Sequence, residues 1–324
     1  MIGDGQPSFT AFTAAAARAA HLIVDAEPRI FADTLAEAML GERAGELLQY
    51  HRAHGTHPIL AGARAQATCR SRYTEDRLAE GVGRGIGQYV ILGAGLDSFG
   101  DRSRLASQVR VFEVDHPATQ EWKRHIRQAT EARGAGGAAE TPEATRGTEA
   151  RVAGGAAETP EGTRGTEARG GVRFVPVDFA RDSLRDRLGQ AGFDFAAPAF
   201  VSWLGVTMYL DRDAIGQTLA VASGFGPGSE IVVDYMLPPG LRDAAGEDYA
   251  AQIGPVSAER GEPWLSLFAP DEMAALLRGH GFGEVRDVRQ RDMIPAAAWN
   301  RTDSLRPADL SRIVHAALPA RAGD

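Results

Sequence analysis

The chain has 324 residues, 44% of them hydrophobic, with 43 acidic against 35 basic side chains and a formal net charge of −8. That length suits one large domain or a core with an added cap. The acidic balance, with no stripe of Lys and Arg, excludes a face for duplex nucleic acid. The single cysteine, Cys69, excludes an internal disulfide and reads as a small buried apolar residue. An early acid, Asp4, and no basic region before an apolar run argue against a signal peptide. No apolar stretch approaches bilayer length, so no membrane span is expected and the expected compartment is the cytoplasm.

Helical periodicity comes first. Phe12, Ala15, Ala16, Ala19, Leu22 and Ile23 share one face and predict a helix from Thr10 to about Asp25, capped by Ser8 or Thr10. A second helix is predicted from Phe31 to Leu48. His51, His54 and His57 follow without an acid or cysteine close by, and read as a loop or pocket rim rather than a metal site. A third helix, about Ala61 to Gly81, carries Arg64, Arg70, Arg72, Tyr73, Glu75 and Asp76. Residues 1–80 thus read as a helical cap that contributes to a substrate pocket, ahead of an α/β core over 81–324.

The core opens with two short apolar runs, Tyr89–Leu92 and Val109–Val114, each cut off sharply as buried strands are. Gly93-Ala94-Gly95 follows the first, leaving bare backbone that a ligand can approach. The second ends in Glu113-Val114-Asp115, then His116-Pro117. In open α/β sheets a glycine turn after strand 1 takes the charged part of a nucleoside ligand, and a carboxylate ending strand 2 takes its ribose hydroxyls. A dinucleotide fingerprint wants a third small residue beside a helix N-terminus that receives pyrophosphate. Here Ser98 holds that place and Asp97 stands beside it. A carboxylate there repels pyrophosphate but tolerates a sulfonium amino acid, which favours S-adenosylmethionine.

After Pro117 a helix is predicted to about Ala129. Ala132–Glu149 and Ala150–Glu167 are then a tandem duplication differing only at Val152 and Gly162. With almost nothing to bury it cannot offset its ordering entropy, so residues 132–171 read as a disordered loop insertion. Strands are predicted at Val172–Val177, before Asp178, and at Ala199–Leu204 and Glu230–Tyr235. Helices are predicted near Leu184–Leu188, Asp211–Val221 and Asp271–Gly279. Leu237–Leu267 reads as a loop-rich lid or pocket wall. Phe282–Arg289 and the stretch near Ile294–Trp299 read as the last two strands, and Leu310–Leu318 as a closing helix. Alternating strands and helices imply a mainly parallel sheet covered on both faces.

The residues Leu92 to Ser98, with Phe112 to Pro117, resemble the leucine carboxyl methyltransferase-type family, including its bacterial polyketide O-methyltransferase branch. Arg70-Ser71-Arg72-Tyr73, Val177-Asp178-Phe179 and the run Ser202 to Leu210 extend the resemblance, as do Ala17 to Ala20 and the Asp25–Leu40 region. It implies a class I, Rossmann-like methyltransferase fold: a seven-stranded, mostly parallel sheet with an N-terminal helical cap. It implies S-adenosylmethionine as cofactor. Gly93 and Gly95 would pass the methionine part, with Asp97 at the same turn. Asp115 would hold the ribose, Asp178 and the Phe179 backbone the adenine amine. Arg70, or second to it Arg72, would pair with the donor carboxylate. Many relatives carry Glu where this chain has Leu204, so the partner of the donor ammonium is open.

The expected activity is O-methylation of a carboxyl or acidic hydroxyl of a small metabolite, with no nucleic-acid or membrane partner and no metal. A carboxylate acceptor is already ionised, whereas a hydroxyl needs a base. His116 and His280 are poorly suited to that task, so no catalytic residue is assigned and the mechanism reads as positioning. Two other readings share the strand logic. One is an NAD(P)-dependent oxidoreductase of Rossmann type, which Asp97 opposes; the other is a non-catalytic nucleoside-binding protein.

Overall fold

The computed structural model describes residues 8–136, 171–178 and 181–320. The duplicated stretch from 137 onward and Phe179 lie outside the described residues.

Among the described residues, four α-helices precede the first strand: α1 (Phe9–Val24), α2 (Ala36–Met39), α3 (Ala44–His54) and α4 (Pro58–Gly83). The α1 start follows its capping chemistry, because the Ser8 hydroxyl accepts the Ala11 amide at 3.1 Å. The single helix predicted over Phe31–Leu48 is broken instead. Gly41 takes φ +57°, and a Cβ there would come within 2.7 Å of Ile126, so the chain turns to admit that side chain. His51 and His54 lie within α3, and His57 caps α4. His51 is buried against Arg64 at 3.4 Å, so it belongs to the packing between α3 and α4 and not to a loop.

The core strands are β1 (Gln88–Leu92), β2 (Arg110–Asp115), β3 (Val172–Pro176), β4 (Phe200–Trp203), β5 (Glu230–Met236), β6 (Glu284–Arg289) and β7 (Ser311–Ala317). They form one sheet in the order β3-β2-β1-β4-β5-β7-β6. Pairings among β1 to β5 are parallel, while β7 runs antiparallel between β5 and β6. The helices between them are α5 (Phe99–Arg102), α6 (Pro117–Gly136), α7 (Leu184–Gln190), α8 (Arg212–Ala222), α9 (Ala244–Glu259) and α10 (Pro270–Gly279). α6 therefore runs past Ala129 into the first residues of the duplication.

Two predicted elements at the C-terminal end change identity. Leu310–Leu318 is not a closing helix but the strand β7. Being interior to the sheet, it buries Ile313 on one face and Val314 on the other, which hides the alternation that marks a half-exposed strand. The stretch near Ile294–Trp299 is no strand; after Pro295 it makes a 3-10 turn, Ala296–Trp299. Likewise the expected loop over Leu237–Leu267 contains α9. Its Gly246, Gly254 and internal Pro255 weaken the helical signal. Tertiary contacts hold it: Gly246 lies against the Asp309 backbone and Gly254 against Trp264.

One face of the sheet packs Leu92, Val114, Trp203 and Val233 with α7, α8 and α10. The other packs Tyr89, Ile91 and Phe200 with Ala65, Cys69, Tyr73 and Leu78 of α4. A third cluster joins α1 to α3 through Phe12, Met39 and Leu48, and includes Leu96 and Ile126. The N-terminal helices are thereby packed on the segment that leaves β1.

Candidate functional site

β1 and β2 end in register, Leu92 opposite Val114. The chain then turns through Gly93 at φ +65° and Gly95 at φ +50°. At Gly93 a side chain would overlap Val206, and at Gly95 it would approach Ala11 to 3.3 Å, so the turn is confined on both sides. Asp115 ends β2 beside it. One carboxylate oxygen accepts the Gly95 amide at 2.5 Å, the other the amide of His116 at 2.6 Å. Burial raises the pKa of Asp115 and these amide bonds oppose the rise. Asp97 accepts the Phe99 amide at 2.7 Å, so its carboxylate stays at the turn.

The amide of Val177 donates to the Asp115 carbonyl at 2.9 Å, which brings Asp178 to the neighbouring strand end. The Asp178 amide donates to Asp182 at 2.9 Å, and its carboxylate lies 3.6 Å from Arg181. Beyond β4, Leu204 is half-buried and packs on the α4 side of the sheet. Gly205, at φ +74°, donates its amide to Asp234 at 2.6 Å. The other oxygen of Asp234 accepts Arg70 at 2.8 Å. Arg70 thus stands at the mouth of β4, one strand from Gly93. Arg72 does not: its side chain is 45% exposed and pairs with Asp76 one turn along α4.

Several residues at this end of the sheet were assigned no site role from the sequence, although Arg18, Asp33 and Tyr209 lie in stretches that resemble the family. Asp234 is one, since only the fold sets β5 beside the Gly205 turn. Arg18 and Asp33 are others: Arg18 donates to the Leu96 carbonyl and to Asp33, each at 2.7 Å, and Asp33 accepts the Ser98 hydroxyl. Tyr209, Tyr249 and Trp264 cluster with Met208 and Met236 beyond Gly205. Burial raises the phenol of Tyr209, and lifts that of Tyr249 to about 12. The amide of Thr10 at the start of α1 donates to Glu262 at 3.3 Å, tying this cluster to the N-terminal helix. Glu113, two residues earlier on β2, is taken up by a buried pair with Lys123 at 2.5 Å.

A parallel sheet whose antiparallel β7 lies between β5 and β6, with a glycine turn after β1 and an acid ending β2, defines a class I methyltransferase. The chain belongs to the leucine carboxyl methyltransferase family, whose model matches residues 11–223. It is similar to YktD of Bacillus subtilis (strain 168), provisionally named an S-adenosyl-L-methionine-dependent methyltransferase, at 29% identity over 76% of this chain and 70% of YktD. It is 30% identical to Rv3787c of Mycobacterium tuberculosis (strain ATCC 25618 / H37Rv), provisionally named likewise, over 54% of this chain and 46% of that protein. A crystal structure of a Bordetella parapertussis protein superposes with a TM-score of 0.46 at 14% identity, covering 96% of each chain. The chain is an S-adenosylmethionine-dependent methyltransferase.

Proposed function

We propose that the chain methylates a carboxyl or acidic hydroxyl oxygen of a small metabolite, with the donor at the strand ends formed by Gly93–Gly95, Asp115 and Gly205. The observation that carries the reading is the meeting of Gly95 and Asp115, which sets bare backbone and a carboxylate side by side. The residues fit the donor's chemistry. Side-chain-free backbone suits close passage of the methionine part, a strand-end acid suits a ribose diol, and a guanidinium suits a carboxylate.

When bound, S-adenosylmethionine supplies a methyl group already activated by its sulfonium. The chain's own residues bind, orient and exclude water. Gly93 and Gly95 pass the methionine part, with Asp97 at the same turn. Asp115 accepts from the ribose hydroxyls, and Asp178 meets the adenine amine. Arg70, aimed by Asp234, pairs with the donor carboxylate.

The acceptor lies against Tyr209, Tyr249 and Trp264, between the N-terminal helices and residues 238–268. Both phenols are protonated near neutral pH and burial raises them further, so they are available as hydrogen-bond donors and take no proton. Such donors suit an oxygen that arrives ionised, which supports a carboxyl or acidic hydroxyl acceptor. Radiolabelled donor tests both halves. Binding by the purified protein, then base-labile transfer to a panel of carboxylic acids or base-stable transfer to acidic phenols, is expected. No binding would remove the donor assignment; binding with transfer only to amines or thiols would remove the acceptor class.

A further inference from the structure

We propose that Arg18 and Asp33 are positioning residues that latch the N-terminal helices onto the donor turn, so that donor affinity is set from α1 as well as from the sheet. The inference rests on the donor site described above. Arg18 is 8% exposed and Asp33 is 2% exposed. The Arg18 guanidinium spans two acceptors, the Leu96 carbonyl and one Asp33 oxygen, each at 2.7 Å. The other Asp33 oxygen accepts the Ser98 hydroxyl, and Arg102 approaches that oxygen to 3.5 Å while also donating to Ser98 at 3.2 Å. Residues 96 and 98, either side of Asp97, are therefore held by groups brought from α1 and from the segment before α2.

This matters because the turn has little stiffness of its own. Two glycines in the left-handed region leave wide freedom, and ordering that backbone costs free energy whenever a ligand needs one conformation. The sheet restrains the first half: the amide of Ala94 donates to Val114 at 3.0 Å and that of Gly95 to Asp115. The second half is tied down by Arg18 and Asp33. A buried ion pair contributes little net stability compared with apolar packing, so its value here lies in fixing a register. The contact of Ala11 with the space beside Gly95 places α1 itself over the same turn.

The test titrates S-adenosylhomocysteine into Arg18→Met, Arg18→Lys and Asp33→Asn by calorimetry, alongside wild type. Arg301→Met serves as a packing control, because Arg301 ties the 301–303 segment to Ala26 and Asp303 without touching the turn. Loss of a charge-assisted bond to the turn predicts at least about tenfold weaker binding for Arg18→Met, partial rescue by Lys, and no change for Arg301→Met. Asp33→Asn, the isosteric change, is expected to speed amide hydrogen exchange at Leu96–Ser98 while leaving β5 protected. Wild-type affinity in Arg18→Met and Asp33→Asn, or equal loss in Arg301→Met, would overturn the latch. Should Arg18→Met not fold, Arg18→Lys and Asp33→Asn decide the matter by the same two readouts. Failure of wild type to bind would instead overturn the donor site, and the latch with it.

Discussion

Asp115 and Gly95 are 20 residues apart in the chain, yet the carboxylate of one accepts the amide of the other at 2.5 Å. The contact shapes the glycine turn from below while leaving further lone pairs of the same carboxylate for a ligand. One side chain therefore serves both the turn and the proposed ribose contact.

Asp115→Asn removes the charge and sets an NH2 donor against one of the two backbone amides that the carboxylate accepts. Hydrogen bonds to charged groups contribute about 1.5–3 kcal/mol, so donor affinity should fall by at least about tenfold. Asp115→Ala should fall further, because the Gly95 amide then loses its partner. Titration with S-adenosylhomocysteine checks both; unchanged affinity in Asp115→Ala would refute the ribose role.

Gly93→Ala and Gly95→Ala should differ in cost. Both place a side chain in the left-handed region, at about 1–2 kcal/mol each. At Gly93 the new methyl also overlaps Val206, adding about 1–3 kcal/mol of overpacking, whereas at Gly95 its nearest neighbour is Ala11 at 3.3 Å. Denaturant unfolding should rank Gly93→Ala as the less stable. The reverse order would contradict the geometry of the turn.

Asp234 is 1% exposed and bridges Arg70 to the Gly205 amide. Asp234→Asn should weaken donor binding nearly as much as Arg70→Met, and the double variant should lose little more, as expected for two residues acting as a unit. Fully additive losses would separate Asp234 from Arg70.

Glu75 lies beside Arg102, and burial raises its pKa from 4.5 to about 7, with Asp97 and Asp33 adding to the rise and Arg102 opposing it. A carboxyl that binds its proton more tightly when folded favours the folded state below about pH 4.5. That contribution is lost as pH rises to about 7, by at most about 3 kcal/mol. Glu75→Gln should flatten this slope, so its melting temperature relative to wild type should rise between pH 5 and pH 8. A constant difference across that range would show that Glu75 does not titrate there.

The sequence by itself determined the features that are local along the chain. The Ser8 cap of α1, the abrupt ends of β1 and β2 and the two glycines between them rest on neighbours a few residues away, and composition carries that information. So does the burial of Cys69, an apolar position on the inner side of α4. The tertiary structure alone decided what depends on distant partners. β7 reads as a helix because both its faces are buried, so no alternation survives in its residues. Arg70 and Asp234 meet across 164 positions, and Arg18 reaches Leu96 across 78. Charged residues on amphipathic helices look alike in a sequence whether they face solvent, as Arg72 does, or a partner that only the fold delivers.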